Sequence, residues 1–421
     1  MKSKTIILIV RRHAGEVDWL LPLLFKFNKK FRIITIFSDQ SSFDSLKNNI
    51  DIFNLWSQIC SEYFIVKKEN QFIWKFLHLI LRKLNFSFLN KKEKLVLNKT
   101  FDIKSFLNKF NTNIHQIKCV FVTHSHATYL PHIFKNQNSK IQIIRFPEAT
   151  MISASLKENP KLKNYNKVQN TYGDLFLFSS ISNKELFLGK KNKNEYIKDV
   201  YYCGLLRYEK WWINKFIQRT NKSFKKFKIL VAIRGPHDDY FQLDSYNNCI
   251  DSIMKVAQEI NNCEVIFKSH PNEFDFNILK KKLSFFKNIK WSIEDNHIMK
   301  LSSKSNLCIS VITSACFDAI ALKVPTIEFY NVEHEIKHSN KVKTLMHMAF
   351  DKRDKKWKSI FSYKKIIQNV YDYETLKKRV LSVYTNKNKV LWNKNYHTFQ
   401  KLVNFRNNSN KLYKLINKKI S

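Results

Sequence analysis

The sequence predicts an α/β protein with two Rossmann-like domains facing across a cleft and helices at the C-terminus. Three observations carry that expectation. Short apolar runs alternate with helix-patterned segments along most of the chain, as in parallel sheets with crossover helices. The alternation lapses between Glu185 and Lys226, where charge rises, and restarts at Lys228. The length of 421 residues suits two or three domains, each with its own core. The expected units are an acceptor-side domain over 1–195, a donor-side domain over 196–385 and a basic helical tail over 386–421.

The first unit opens with a strand at Thr5–Val10, a helix at Gly15–Phe27 and a strand at Arg32–Phe37 that ends at Ser38-Asp39. Lys118–Val122 follows as a strand, Thr128–Asn136 as a helix, and Ile141–Arg145 and Asp174–Phe178 as further strands. The second unit repeats the theme. Its strands are Lys228–Ile233, Glu264–Lys268, Ile289–Ser292, Leu307–Ser310 and Thr326–Tyr330, separated by helices at Asp244–Ile260, Asn277–Phe285, His297–Ser302 and Ser314–Leu322. No repeat of fixed period interrupts this order.

Composition narrows the class. With 44% apolar and 14% aromatic residues the chain is built to fold. The seven cysteines are scattered and form no CxxC pair, so neither a disulfide framework nor a cysteine zinc site is indicated, and a reducing cytoplasm suits them. The formal charge of +40 is spread along the chain as a general Lys and Asn richness and matches no nucleic-acid reader motif, so no specific nucleic-acid partner is expected. From Asp351 onward 19 Lys and Arg face 4 Asp and Glu, an excess that fits solvated helices or contact with an anionic membrane or polyanion. The N-terminal apolar run is cut by Arg11-Arg12 and reads as a buried strand rather than a signal peptide. Phe72–Leu84, the most apolar segment, carries Lys75, Arg82 and Lys83 and reads as an amphipathic helix on a sheet rather than a membrane span. Only five glycines are present, and each is expected where a side chain is not tolerated or φ is positive, except Gly189 in its polar run.

Open α/β sheets bind ligands beyond the carboxyl ends of their strands, so the residues after each strand are the candidates. Lys268-Ser269-His270-Pro271 puts a cation and an imidazole at a strand end and suits a phosphate. Ser310, Thr313 and Ser314 stand before a helix, as an anion site or a simple N-cap. In the first loop, His13, Gly15 and Glu16 stand at a strand-to-helix turn; Glu16 is either an acceptor-binding or basic group or a helix-dipole partner. His124, His126 and His132 are read as polar groups of the cleft wall rather than metal ligands, because no carboxylate nearby completes a set. Trp211-Trp212 reads as packing at the domain junction.

Taken together, Lys268-x-His270-Pro271, Ser310-x-x-Thr313-Ser314-x-x-Phe317-Asp318 and Leu322-x-x-Pro325-x-Ile327 resemble the donor-nucleotide region of a GT-B branch. That branch includes CDP-glycerol glycerophosphotransferases, capsule polysialyltransferases and surface-carbohydrate biosynthesis proteins. Cys203-Gly204-Leu205-Leu206-Arg207-Tyr208 is similar to their Gly-x-Pro-Arg segment, and Arg234-Gly235-Pro236 stands where they contact phosphate. The resemblance implies donor binding by Arg207, Arg234, Gly235, Lys268, His270, Pro271, Ser310, Thr313, Ser314 and Asp318, with His270 also catalytic. It further implies Glu328 on the ribose, and His13, Gly15, His124 and His126 on the acceptor side. Phe146-Pro147-Glu148-Ala149-Thr150 replaces the family's His-Gly-Thr, which makes Glu148, or failing that Glu16, the catalytic base. Leu206 stands for the family proline and Val311-Ile312 for an Asp-Tyr pair, so the donor's identity stays open among CMP-, CDP- and UDP-linked compounds.

The expected activity is that of a metal-independent glycosyltransferase or polyol-phosphate transferase. It would use a nucleotide-activated donor in synthesis of a capsule, lipopolysaccharide or other surface polysaccharide or lipid-linked glycan, with no cofactor, in the cytoplasm or at the inner membrane face. The rivals are a nucleotide-sugar epimerase or hydrolase on the same fold and, from another class, a basic nucleic-acid-binding protein.

Overall fold

The computed structural model describes residues 4–60, 62–66, 101–124, 130–147, 152–164, 172–188, 197–217, 226–269, 276–387, 389–403 and 408–420. Phe72–Leu84, His126, Glu148, His270 and Pro271 lie outside them.

Two parallel sheets form the frame. The first has strands β1 (Lys4–Val10), β2 (Phe31–Phe37), β3 (Glu62–Ile65), β4 (Ile117–Thr123), β5 (Gln142–Phe146), β6 (Gly173–Phe178) and β7 (Ile197–Tyr202), in the order β3-β2-β1-β4-β5-β6-β7. The second has β8 (Phe227–Ile233), β9 (Cys263–Ser269), β10 (Lys290–Ile293), β11 (Leu307–Val311), β12 (Thr326–Phe329) and β15 (Gln368–Val370), in the order β10-β9-β8-β11-β12-β15. An antiparallel hairpin of β13 (Met348–Asp351) and β14 (Lys356–Ser359) is inserted between β12 and β15.

The apolar runs become central strands because both faces of a parallel sheet are covered. Ile6 to Val10 are fully buried, and they alternate: Ile6, Leu8 and Val10 meet the helix Ala14–Phe27, while Ile7 and Ile9 meet Phe106 and Phe134 on the other face. The second sheet repeats this division. Ile229, Val231 and Ile233 pack under the helix Leu243–Gln258, whose buried Tyr246, Cys249, Ile250, Ile253, Met254 and Ala257 follow the helical period. Leu230 and Ala232 pack against Ile298, Leu301 and Ala319. Two glycines serve steric ends. Gly204 has φ 64°, in the left-handed region, and a Cβ on Gly173 would collide with the Phe176 ring.

The first sheet extends past the expected boundary at 195, since β7 pairs with β6 from Gly173↔Ile197 to Phe178↔Tyr202. The basic helical tail packs on both domains. The helix Asn408–Ile420 turns Leu412, Ile416 and Ile420 inward and sets Tyr413 4.9 Å from Phe27 in the first domain. The helix Lys389–Val403 places Phe399 parallel to Phe317, 5.4 Å away, and edge-on to Tyr208. Trp212 is fully buried beside Phe25 and Phe216, which makes the tryptophan pair part of this junction. Among the described residues no helix is long and apolar enough to cross a membrane.

Candidate functional site

In each sheet the chain runs outward from a central strand and then restarts on that strand's other flank. It goes from β1 to β2 and β3, then resumes at β4; in the second sheet it goes from β8 to β9 and β10, then resumes at β11. The crevice beyond the carboxyl ends at such a reversal is the natural ligand site of an open α/β sheet. One reversal therefore lies at β1/β4 and the other at β8/β11.

At the first reversal the turn Arg11–His13 is held by its own side chains. His13 caps the helix Ala14–Phe27 with Nδ1, which accepts the Gly15 N–H at 3.1 Å. A nitrogen that accepts carries no proton, so the hydrogen sits on Nε2. Burial, aided by Arg12, holds this imidazole below its ordinary pKa. Glu16 is fully buried; its Oε2 accepts the Arg11 N–H at 2.7 Å and its own N–H bonds to the His13 carbonyl at 3.1 Å. The carboxylate thus staples the turn, and Gly15, the second residue of the helix, has no left-handed φ. His124, expected on the cleft wall, is 1% exposed and lies among Phe176, Phe178 and Phe187, 4.5 Å from the Phe178 ring. Burial, with Arg145 adding to it, holds its pKa down to about 3, so it is a neutral core histidine. Arg145, within the expected strand Ile141–Arg145, is fully buried near the end of β5, where its guanidinium donates to the Tyr172 and Thr123 carbonyls at 2.8 and 3.0 Å.

At the second reversal, Arg234 and Gly235 leave β8. The Arg234 N–H bonds to the Val311 carbonyl at 3.3 Å, and its guanidinium lies over the Tyr240 ring at 5.1 Å. Burial and the nearby Arg234 bring the His347 imidazole down to about 4, and its Nε2 is buried with no hydrogen-bond partner among the described residues. Lys268 at the end of β9 donates to the Asp295 carbonyl at 2.9 Å, and burial lowers its pKa against the pull of Asp295, Asp51 and Glu294. The turn out of β11 is shaped from within. Ser310 Oγ donates to the Thr313 carbonyl at 2.9 Å, Thr313 Oγ1 accepts the Ala315 N–H at 3.3 Å, and Ile312 between them has φ 53°. A β-branched residue in the left-handed region is strained, and such strain gathers at functional turns. Ser310 and Thr313 therefore spend their hydroxyls on the turn, and the Ser314 carbonyl accepts the Phe317 N–H.

Three expected donor contacts sit elsewhere. Glu328 is 1% exposed on β12, with Oε2 accepting from Ser359 Oγ at 2.5 Å and Asn369 Nδ2 at 3.2 Å. Burial pushes its pKa to about 7, against those two hydrogen bonds. Arg207 and Asp318 are buried together, with Arg207 Nη2 2.7 Å from Asp318 Oδ1. Among the described residues no three His, Cys, Asp or Glu side chains are grouped to hold a metal ion.

No family model matches the sequence, and neither does any curated protein. Solved structures do match in shape. UDP-GlcNAc 2-epimerase from Neisseria meningitidis, solved bound to UDP-GlcNAc, superposes with a TM-score of 0.57 at 11% identity over 98% of this chain and 100% of that one. The S. aureus MnaA–UDP complex gives 0.56 at 10% identity over 99% and 96%. The wall teichoic acid polymerase TagF gives 0.55 at 13% identity over 100% and 90%. These identities establish likeness of fold. The chain has a GT-B fold.

In this GT-B fold the two reversals belong to different domains, and buried polar contacts bridge the domains. Arg207, between the sheets in sequence, reaches Asp18 on the helix after β1 at 2.9 Å and Asp318 on the helix after β11. His297 joins through Nε2, 3.2 Å from Asp18, while its backbone N–H bonds to Asp51 at 2.7 Å. Lys300 pairs with Asp51 at 2.9 Å. Burial alone would raise the Asp18 carboxyl, but Arg207 and His297 outweigh it and hold the pKa low; Asp318 is pushed up to about 6 by burial despite Arg207. A second bridge comes from the segment after β5. Its Ala154 N–H bonds to the Met346 carbonyl at 2.8 Å, Asn159 Nδ2 donates to the Lys343 and Met348 carbonyls, and Glu158 pairs with Lys364 at 2.7 Å. Asp18 had a legible signal, a carboxylate followed directly by the apolar run Trp19–Phe25 of its helix. Its partner Arg207, 189 residues on, had none that named it as such.

Proposed function

We propose that this chain transfers a sugar or polyol phosphate from a nucleotide-activated donor to a glycan or lipid-linked acceptor in surface-polysaccharide synthesis, without a metal cofactor. The observation that supports it is the pair of sheet reversals assigned to two bridged domains, with Arg234 and Lys268 at the second. On this reading Arg234, Lys268 and His270 draw the developing negative charge onto the leaving nucleotide, the kind of fixed electrostatic help that supplies much of a barrier reduction. Glu148 takes the acceptor proton. Glu16, committed to the Arg11 N–H, positions the turn, and His13 offers Nε2–H to an acceptor oxygen. Arg207 and Asp318 hold the domains together. Work on a lipid-linked acceptor places the enzyme in the cytoplasm at the membrane's inner face. Neighbouring GT-B structures with UDP, UDP-GlcNAc and a teichoic acid polymerase support a nucleotide-linked donor.

The near-complete mutual coverage with the UDP-GlcNAc 2-epimerases favours one second reading, a nucleotide-sugar epimerase. Product analysis with and without acceptor separates the two, since an epimerase converts its nucleotide sugar alone. The donor site is tested by thermal shift with CMP, CDP, UDP and their sugar conjugates. A specific nucleotide at about 100 times its Kd should add about 2.7 kcal/mol. Arg234→Ala should weaken its binding by roughly 10- to 100-fold through loss of a charge-assisted contact. A wild-type midpoint unmoved by every nucleotide overturns the donor site, and a normal turnover rate in folded His270→Ala removes His270 from the chemistry.

A further inference from the structure

Strand β14 of the hairpin borders an open pocket of about 470 Å3 at the carboxyl ends of β12 and β15. Its lining comes wholly from the second domain and includes no residue of β8 or β11. Three aromatic residues wall it: Tyr330 after β12, Trp357 on the hairpin and Tyr371 after β15, the last 58% exposed. Tyr330 is fixed by its hydroxyl, which donates to the Tyr240 carbonyl at 2.6 Å, and Trp357 by a 5.4 Å ring contact with Phe350 and by its backbone N–H, which donates to Glu333 Oε1 at 3.0 Å.

Between these walls the polar groups are pre-oriented. Asn369 spends Nδ2 on Glu328 and on the Tyr330 carbonyl, both at 3.2 Å, so its Oδ1 is an acceptor with no partner among the described residues. Asn331 is the reverse case: its Oδ1 caps the helix Val332–His338 by accepting the His334 N–H at 3.1 Å, which leaves Nδ2 as a donor. Charge at the rim does not favour an anion. Lys358 is neutralised by Asp351 at 3.0 Å and by Asp354, and Glu333 and Lys356 bring one charge of each sign to the lining. Aromatic faces for the C–H surface of a pyranose, with one amide acceptor and one amide donor at fixed positions, match a polyhydroxylated and uncharged ring.

We infer that this pocket binds a neutral saccharide unit through Trp357, Tyr371, Asn331 and Asn369. The inference stands on this pocket alone and does not need the transferase reading.

Saturation-transfer NMR on the full chain tests it, with maltose and N,N′-diacetylchitobiose as probes at about 5 mM, the range of weak sugar binding. UDP serves as a separate arm reporting the β8/β11 crevice. At least one disaccharide should receive saturation from wild type, and Trp357→Ala and Tyr371→Ala should each weaken it about tenfold, the scale of one lost aromatic contact. Tyr371 makes no side-chain hydrogen bond among the described residues, so its variant keeps the test open if Trp357→Ala unfolds. Any UDP response should be the same in wild type and variants. No transfer to either disaccharide, or transfer undiminished in folded Tyr371→Ala, overturns the saccharide pocket. A silent UDP arm bears only on the donor site.

Discussion

The turns after β1 and after β11 each flank the reversal of their own sheet, and they are built in opposite ways. The first is relaxed and capped: His13 is extended at φ −159°, accepts the Gly15 N–H, and shares the turn with buried Glu16. The second passes through Ile312 at φ 53° and enters the short helix Cys316–Ala321, whose N-cap Ala315 makes no side-chain cap bond. A strand can leave its sheet without strain, as the first turn shows, so the strain at Ile312 belongs to what the second turn presents. Each following helix also carries a carboxylate that Arg207 grips, Asp18 in the first and Asp318 in the second. Two unlike turns are thereby locked into one arrangement by a single cation.

The largest effect should come from cutting that lock. Arg207→Met leaves two carboxylates buried without their shared cation, and removing one partner of a buried ion cluster costs about 3–5 kcal/mol. Urea unfolding should show that loss. Asp18→Asn/Arg207→Met/Asp318→Asn, with no charge left uncompensated, should recover most of it. A single variant as stable as wild type would mean that the turns are set independently.

The frame itself was legible. Runs such as Ile6–Val10 and Ile229–Ile233 can be read as strands because parallel sheets bury both faces. The two reversals follow from the order of strands, and the structure places Arg234 and Lys268 at the carboxyl ends of β8 and β9 where the motifs set them. What failed was short or long-range. β3 and β7 are edge strands with weak apolar signal, and β7 falls in the charged stretch read as a linker. The hairpin β13–β14 interrupts the alternation without turn glycines. The resemblance alone assigned Arg207 to the donor, and nothing near it in sequence shows the ion pairs it makes with Asp18 and Asp318, each over a hundred residues away. His124 was misplaced for a related reason: the phenylalanines that bury it are on β6 and the helix after it.

Behind the second turn, Glu328 pairs in register with Ser310; it is as buried as the stapling Glu16 but accepts from the side chains of Ser359 and Asn369 where Glu16 accepts a backbone N–H. Its folded pKa is raised from 4.5 to about 7, so the folded state holds this proton more tightly than the unfolded chain. Its contribution is full below pH 4.5 and is lost as pH rises through 7. Glu328→Gln keeps the acceptor for Ser359 and removes the ionisation. Above pH 7 the variant should be more stable than wild type by about 2–3 kcal/mol, the linkage worth of such a shift. The measurement is urea unfolding from pH 4.5 to 8; equal slopes in both proteins would show that Glu328 ionises freely under the turn.

The smallest effect tests the strain itself. Ile312 and Val311 are adjacent, β-branched and buried, at 4% and 0% exposure, but only Ile312 has a positive φ. Changing either to glycine removes a buried side chain and loosens the unfolded chain, costs the two sites share. At Ile312 the change also releases left-handed strain of about 1–2 kcal/mol, which Val311 does not store. Ile312→Gly should therefore be milder than Val311→Gly by roughly that amount, although isoleucine is the larger residue. The relaxed first turn is the control, because Arg12→Gly has no such strain to release and should give no comparable rebate. If Ile312→Gly proves as costly as Val311→Gly, the second turn stores nothing, and its difference from the first lies in capping alone.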